Sequence, residues 1–213
     1  MDHSRGKRRI GIDFDNTIIS YQQAFLDAAA AGRLLPEGFV GTKQAVRDRI
    51  RLLPDGEPKW MRLQGFVYGK GIENAAPFNG VAEFLRHCHK RGETVFIVSH
   101  KTEFGHFDTS GVNLRQAARD WIKAQGFFRY DEYGLSLENV HFEGTRAEKL
   151  DRIAVLGCTH FIDDLEEVLC DPKFPPRVNR ILFTDGTKVE RTLPCSICST
   201  WPEITDVVFN ERP

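Results

Sequence analysis

The sequence predicts an α/β fold with a parallel sheet, because short apolar runs alternate along the chain with helical patterns. The runs that we expect to form strands are 9–14, 94–98, 139–142, 159–162 and 180–183. Apolar residues recur at helical spacing over 81–91, 114–125 and 145–157, and a glycine ends or follows each of these stretches. Thr145 and Glu148 also form a capping-box pattern at the start of the third stretch.

The interval between the first two predicted strands is too long for a simple crossover connection. About a dozen residues suffice for such a crossover, whereas 80 positions separate Phe14 from Thr94. Helical patterns fill much of this interval, at 18–31, 42–53 and 60–68. We therefore expect a mostly helical cap insert at 20–76, after the first strand. Residues 1–19 and 77–213 would form a three-layer, Rossmann-like α/β core domain.

Composition excludes several classes of protein. The 213 residues carry a formal net charge of −1, so no overall field attracts nucleic acid or an anionic membrane. The longest strongly apolar run, 95–98, is far too short to span a bilayer. Five cysteines at irregular spacing do not form a disulfide framework, and Cys195 and Cys198 lack a second ligand pair for zinc. The basic N-terminus has no apolar signal stretch, so we expect a cytoplasmic protein.

Acidic residues follow the first predicted strand, where an open parallel sheet binds its ligands. Asp13 and Asp15 are two positions apart, so an extended chain directs both carboxylates to one side. Adjacent carboxylates repel each other and lose solvation when they are buried, unless a positive charge lies beside them. The site therefore requires a cation.

The ends of the other predicted strands supply further candidates. Ser99 ends the second strand, and Lys149 lies near the start of the helix after the third. Asp163 and Asp164 end the fourth strand, and Glu167 follows one turn later. The excess of carboxylates suits Mg²⁺, which takes one or two carboxylate ligands and keeps positions for water and a phosphoryl oxygen.

This set of residues resembles the haloacid dehalogenase superfamily, and within it the phosphatase branch. The first motif of that family, DxDxT, matches residues 13–17, and its serine or threonine motif matches Ser99. Its lysine matches Lys149, and its acidic motif matches residues 163–167. The motifs occur in the family's order, and the resemblance spans residues 9–183. It implies that the inserted segment is a small helical C1-type cap.

The resemblance also implies the roles of the catalytic residues. Asp13 would attack phosphorus and form an aspartyl-phosphate, and Asp15 would act as general acid and then general base. Ser99 and Lys149 would hold the phosphoryl oxygens as charge develops on them.

The same resemblance implies how the metal is held. The Asp13 carboxylate, the Asp15 backbone carbonyl and the Asp163 carboxylate would bind Mg²⁺. Asp164 and Glu167 would bind its water ligands or orient the lysine.

The expected function is a Mg²⁺-dependent phosphoric monoester hydrolase that acts on a small phosphorylated metabolite, such as a sugar phosphate or a nucleotide. Asp15 favours a phosphate ester, because dehalogenases of the family lack an acid at that position. One alternative is a phospho-accepting regulatory module, although such receivers have the acidic pair before the acceptor aspartate. Another is a nucleic-acid end-processing phosphatase, but the net charge of −1 gives it little support, and Arg49 lies two positions from Arg47 and from Arg51 and does not share their helix face.

Polar residues of the predicted cap and of the loop after the second strand are candidates for substrate binding. They are Arg47, Tyr68, His100 and Thr102, with His106 and Asp108 further along the loop.

Overall fold

The computed structural model describes residues 6–105 and 111–209, and these residues divide into two compact units. The first unit comprises Met1–Ile18, Phe78–His100 and Gly126–Pro213. The second comprises Ile19–Pro77 and Lys101–Gln125. None of the helices in the described ranges is long and apolar enough to cross a membrane.

Strands and helices alternate through most of the chain. The strands are β1 (Arg9–Ile12), β2 (Ile19–Ser20), β3 (Ala76–Pro77), β4 (Thr94–His100), β5 (Val140–Glu143), β6 (His160–Asp163), β7 (Asn179–Phe183) and β8 (Ser196–Cys198). The helices are α1 (Gln22–Ala31), α2 (Lys43–Arg51), α3 (Gly56–Tyr68), α4 (Val81–Lys90), α5 (Leu114–Ala124), α6 (Tyr130–Tyr133), α7 (Arg146–Val155), α8 (Glu166–Leu169) and α9 (Trp201–Phe209). Two short 3-10 helices lie at Lys70–Asn74 and Leu137–Asn139.

A six-stranded parallel sheet forms the centre of the first unit, in the order β5-β4-β1-β6-β7-β8. Strand β1 lies between β4 and β6, with Ile12 level with Ile97 on one side and Ile162 on the other. Because all these strands run in one direction, their carboxyl ends meet at one edge of the sheet. Chemistry-bearing residues that follow different strands are brought together at this edge.

Helices cover both faces of this sheet. Leu182 of β7 belongs to a buried apolar cluster with Leu150 and Ile153 of α7. The next residue, Phe183, instead places its ring 6.0 Å from that of Trp201 in α9. Successive residues of a strand point to opposite faces, so α7 and α9 lie on opposite sides of the sheet. The predicted α/β fold with a Rossmann-like parallel sheet is confirmed.

The second unit is mostly helical and has an aromatic centre. Phe25 of α1 stacks on Trp60 of α3 with ring centroids 5.0 Å apart. Tyr21 meets Tyr68 edge to face at 4.8 Å. Lys43 of α2 donates a hydrogen bond to the Tyr68 hydroxyl at 2.8 Å, which joins α2 to α3.

Helix α5 groups with the second unit, whereas the predicted core domain (1–19 and 77–213) included it. Trp121 of α5 is buried, and its indole N–H donates to the carbonyl of Ala75 at 2.9 Å. Arg115 donates to the carbonyl of Lys101 at 2.9 Å, which holds the preceding segment to the same helix. These contacts explain why residues 101–125 lie with residues 19–77. The role of residues 20–76 as a cap stays a prediction.

Two local features differ from the sequence expectation. Helix α3 begins at Gly56 rather than at Trp60, because Asp55 turns the chain in a left-handed conformation and Pro58 fits within the first turn. Strand β8 has only three residues, Ser196–Cys198, and only Cys198 is buried, so it shows no strand pattern. It lies at the edge of the sheet beside β7.

The close approach of β1 and β6 gives a test of the fold. A β-carbon on Gly11 would lie 2.5 Å from Cδ2 of Phe161, a buried ring on the neighbouring strand. We expect Gly11→Ala to lower the free energy of unfolding by about 1–3 kcal/mol, because the ring must move within a packed core. Gly6→Ala is the matched control, since nothing lies within 4 Å of its added carbon. Denaturant unfolding that finds the two variants equally stable would contradict this packing.

Candidate active site

The register of two neighbouring strands brings Asp13 and Asp163 together. Ile12 of β1 is level with Ile162 of β6, so the residue after each one lies at the carboxyl edge of the sheet. The Asp13 N–H donates to the carbonyl of Ile162 at 2.8 Å, which extends the ladder to the aspartate itself. Asp13 is 4% exposed and Asp163 is fully buried. Both carboxylates are therefore withdrawn from water.

A tight turn follows β1 and carries the second acid of the DxD pattern. The Ile18 N–H donates to the carbonyl of Phe14 at 3.0 Å and closes the turn. Asn16 adopts a left-handed conformation with φ of 57°, which asparagine tolerates better than most residues. Asp15 and Asn16 consequently line the same cavity as Asp13.

Helix α7 begins at a capping box that fixes the position of Lys149. Thr145 accepts a hydrogen bond from the Glu148 N–H at 3.2 Å, and Glu148 accepts one from the Thr145 N–H at 2.9 Å. These two bonds satisfy N–H groups that the first turn of a helix leaves without partners. Because Glu148 is occupied in this way, it acts as a cap and the adjacent Lys149 supplies the functional group.

The Lys149 ammonium bridges the two buried carboxylates. Its Nζ atom donates to Oδ1 of Asp13 at 2.7 Å and to Oδ2 of Asp163 at 2.6 Å. Lys149 is itself only 1% exposed. Three elements that are distant in sequence (β1, β6 and α7) therefore meet in one buried ion cluster. This arrangement supplies the cation that the sequence analysis required beside Asp13.

Burial and charge shift two pKa values in this cluster. Burial raises the pKa of Asp13 to about 7, although the Lys149 ammonium acts in the opposite direction. The charges of Asp163 and Asp15 add to the increase. Burial would lower the pKa of Lys149, but the Asp13 and Asp163 carboxylates outweigh it and raise that pKa. The surroundings thus favour the protonated form of Lys149, and burial makes the ionised form of Asp13 less favourable than that of an exposed carboxyl.

A cavity of about 460 Å³ opens at this edge of the sheet. The residues that line it come from the ends of β1, β4 and β6, from the first turn of α7 and from α8 with the residues before it. They are Asp13, Asp15, Asn16, Ser99, His100, Arg146, Lys149, Asp164, Leu165, Glu167 and Val168. The cavity therefore contains the predicted catalytic residues Asp13, Asp15, Ser99 and Lys149.

Three carboxylates lie close enough together to hold one metal ion. Asp13, Asp163 and Asp164 each offer an oxygen atom, and these atoms lie within 4.8 Å of one another. An all-oxygen, negatively charged donor set fits a hard divalent cation such as Mg²⁺. The donor chemistry is thus compatible with the predicted metal.

The residues of the acidic motif make different contacts, and their roles stay predictions. Asp163 accepts a hydrogen bond from Lys149 at 2.6 Å, and its other oxygen accepts one from the Leu165 N–H at 3.0 Å. Asp164, not Asp163, lines the cavity. Glu167 forms an ion pair with Arg146 at 3.6 Å and does not belong to the group of three carboxylates found among the described residues.

Arg146 is a residue of the cavity that the sequence analysis did not identify as functional. It is the first residue of α7, three positions before Lys149, so the two side chains lie on neighbouring positions of one helix face. That spacing was visible in the sequence. Asn16 was also missed, because nothing in the sequence shows that it lines the cavity.

The remaining candidate substrate residues have different locations. His100 ends β4 and lines the cavity. Arg47, Tyr68 and Thr102 belong to the second unit. There Arg47 pairs with Asp48 at 3.0 Å, Tyr68 accepts the Lys43 hydrogen bond, and Thr102 lines a separate small cavity. His106 and Asp108 lie outside the described residues.

The buried ion cluster predicts a stability defect that depends on pH. We expect Lys149→Met to lower the free energy of unfolding at pH 8 by about 3–5 kcal/mol, because two buried carboxylates lose their counter-charge. The pKa of Asp13 is about 7 in the folded state, against an ordinary value of 3.8. A carboxyl group with a raised pKa in the folded state favours folding at low pH, and it loses this stabilising effect as the pH rises from about 4 to 7. Removing the lysine raises the pKa of Asp13 further, so the defect should be smaller at pH 5.

Urea unfolding at pH 5 and pH 8 measures this dependence. Lys90→Met is the matched control, because Lys90 is exposed in the last turn of α4. If Lys149→Met were as stable as this control at pH 8, the lysine would not be compensating buried charge.

Solved structures share this architecture. A haloacid dehalogenase-like hydrolase from Streptococcus pneumoniae matches with a TM-score of 0.63 and 13% identity, over 95% of this chain and 98% of that chain. A haloacid dehalogenase family hydrolase from Deinococcus radiodurans, with bound phosphate and sodium, matches with a TM-score of 0.58 and 12% identity, over 96% of both chains.

A third similar structure is a predicted phosphoglycolate phosphatase from Haemophilus somnus, with a TM-score of 0.54, 16% identity and coverage of 95% and 98%. Neither a protein-family model nor a curated protein matches the sequence. At these identities the likeness concerns the fold. This chain therefore has the fold of the haloacid dehalogenase-like hydrolases.

Proposed function

We propose that this chain is a Mg²⁺-dependent phosphoric monoester hydrolase of the haloacid dehalogenase superfamily. The observation that carries the proposal is the Asp13 carboxylate, which lies in a cavity beside Asp15 and Ser99 and is held by the Lys149 ammonium at 2.7 Å. A positioned carboxylate next to a fixed cation suits nucleophilic attack on an anionic phosphoryl group. Hydrolases and phosphatases among the structures that share the fold also support it.

In the first half of the reaction, an Asp13 oxygen attacks phosphorus and forms an acyl-phosphate bond. The bond between phosphorus and the ester oxygen breaks, and Asp15 donates a proton to the departing alcohol. The contact between Lys149 and Oδ1 of Asp13 favours the ionised carboxylate, which is the nucleophilic form. Asp15 lines the same cavity two residues later, within reach of the leaving group.

In the second half, a water molecule attacks the aspartyl-phosphate and restores Asp13. Asp15, now ionised, accepts the proton of that water, and inorganic phosphate leaves. Ser99 and Lys149 would hold the phosphoryl oxygens in both halves. Ser99 is 1% exposed at the end of β4, so its hydroxyl is positioned before the substrate arrives.

The acidic residues divide into two groups in this proposal. Asp13 and Asp164, with the backbone carbonyl of Asp15, would hold Mg²⁺, and Asp163 would position Lys149. The contacts of Asp163 with the lysine and with the Leu165 N–H support this assignment, as does the position of Asp164 on the cavity wall. When bound, Mg²⁺ supplies positive charge to the phosphoryl oxygens.

The proposed substrate is a small phosphorylated metabolite. A cavity of about 460 Å³ lies toward the lower end of the range for small-molecule sites, about 300–1,000 Å³. Phosphate is bound in the Deinococcus radiodurans structure, and the Haemophilus somnus protein is a predicted phosphoglycolate phosphatase. Both observations support a phosphate ester as the substrate class.

Phosphate release from a generic aryl phosphate tests the nucleophile. We expect Asp13→Asn to lower kcat at least about 1,000-fold, because an amide oxygen cannot replace the carboxylate as nucleophile. Asp151→Asn is the matched control, since Asp151 is exposed on α7 and does not line the cavity. If Asp13→Asn retained the activity of Asp151→Asn, the mechanism would be wrong. Release of only one phosphate per chain by the unmodified protein would instead favour a phospho-accepting module.

Thermal unfolding with and without Mg²⁺ tests the metal ligands. At about ten times its dissociation constant, Mg²⁺ should raise the unfolding temperature at pH 8 by about 3–5 °C. Asp164→Asn should lose most of this increase, because it removes one charged oxygen ligand. The control Asp151→Asn should keep the increase. An unchanged Mg²⁺ shift in Asp164→Asn would exclude Asp164 as a ligand.

A further inference from the structure

Arg146 and Lys149 differ in how closely their cationic groups contact carboxylates of the protein. The Lys149 ammonium is buried and donates hydrogen bonds to two carboxylates at 2.7 and 2.6 Å. The Arg146 side chain is 45% exposed, and its ion pairs among the described residues are two long ones, with Glu167 at 3.6 Å and Asp171 at 3.4 Å. Among the described residues, no hydrogen bond holds its N–H groups. Arg146 is therefore the cation of this cavity whose donors remain available to a ligand.

Other arginines of the chain donate short hydrogen bonds to carboxylates. Arg152, two turns further along α7, donates to Glu143 at 2.7 Å, and Arg86 donates to Glu132 at 2.8 Å. Ion pairs that are exposed and longer than these contribute little and are readily exchanged. The contacts of Arg146 with Glu167 and Asp171 thus leave its side chain able to turn toward a stronger anion.

The position of Arg146 relative to the reaction centre is fixed by the backbone. Arg146 and Lys149 are three residues apart on α7, and this spacing places two Cβ atoms about 5–6 Å apart on one helix face. The capping box of Thr145 holds the first turn in place. Arg146 and Asp13 line the same cavity, so one small metabolite in that cavity can contact both residues.

The charge of the cavity indicates what kind of group Arg146 recognises. Four acids line it, namely Asp13, Asp15, Asp164 and Glu167, against the two cations Arg146 and Lys149. Lys149 and the proposed Mg²⁺ serve the phosphoryl group that is hydrolysed, so the Arg146 guanidinium is the cation of the lining that a second anionic group can use. The planar guanidinium matches the two oxygens of a carboxylate or a phosphate in a bidentate pair.

We propose that Arg146 binds a second anionic group of the substrate, a carboxylate or a second phosphate, next to the phosphoryl group that is hydrolysed. The substrates are then phosphorylated acids or bisphosphates rather than phosphate esters with a neutral remainder. This inference rests on the proposed phosphatase function.

Matched pairs of substrates test the role of Arg146. 3-Phosphoglycerate and glycerol 3-phosphate differ in having a carboxylate or a hydroxymethyl group, and ribulose 1,5-bisphosphate and ribulose 5-phosphate differ by one phosphate. We expect Arg146→Ala to lower kcat/KM for the anionic member of at least one pair by about 10- to 100-fold. For the member whose remainder is neutral, glycerol 3-phosphate or ribulose 5-phosphate, Arg146→Ala should lower kcat/KM by less than about threefold. The pair that responds identifies the second group as a carboxylate or a phosphate.

Two further variants separate recognition from a structural role. Asp171→Asn removes one ion pair of Arg146 and keeps the arginine, and Asp171 does not line the cavity. If Arg146 acted only through that pair, Asp171→Asn would reproduce the defect of Arg146→Ala, whereas we expect it to keep the preference of the unmodified protein. Arg146→Lys should recover part of the loss, because it restores charge without the planar fork.

Failure of this inference is distinguishable from failure of the proposed function. If the unmodified protein releases no phosphate from any of the four compounds or from an aryl phosphate, the phosphatase proposal itself fails. If the unmodified protein hydrolyses these compounds but Arg146→Ala lowers kcat/KM equally for both members of each pair, Arg146 does not bind a second anionic group. Equal defects in Asp171→Asn and Arg146→Ala would also overturn the inference.

Discussion

The buried ion cluster of Lys149, Asp13 and Asp163 is the interaction on which the rest of this site depends. Each of these groups is at most 4% exposed, and the ammonium between the two carboxylates offsets the solvation that their charges lose on burial. One ammonium between two carboxylates leaves a net negative charge. Asp164 adds a further carboxylate oxygen within 4.8 Å. The cluster therefore stabilises its own members and still retains the charge that attracts a divalent cation.

The sheet and the capping box place these charges without help from flexible segments. Asp13 and Asp163 directly follow paired residues of two parallel strands, so their separation is set by the spacing between strands, about 4.8 Å. Lys149 follows one turn after the Thr145 cap, so its Cα position is set by the start of α7. A site built on strand ends and a capped helix keeps its geometry without substrate, as electrostatic stabilisation of a transition state requires.

The sequence allowed the sheet, its main helices and the members of the buried ion cluster to be predicted, because apolar runs ending in acids are visible in the chain. It did not show which of Asp163 and Asp164 contacts Lys149. These are adjacent residues, and only the β1–β6 register determines which one faces the lysine. Strand β8 was missed because it is short and mostly exposed. The grouping of residues 101–125 with the second unit depends on the contact of Trp121 with Ala75, which joins residues 46 positions apart.

A crystal structure of the protein with Mg²⁺ and beryllium fluoride, a mimic of the phosphoryl group, would show whether Asp13 receives that group. We expect the fluoroberyllate on an oxygen of Asp13, Mg²⁺ between Asp13 and Asp164, and Lys149 still within hydrogen-bond distance of Asp163. A fluoroberyllate bound elsewhere, or a Lys149 side chain directed away from both aspartates, would contradict it.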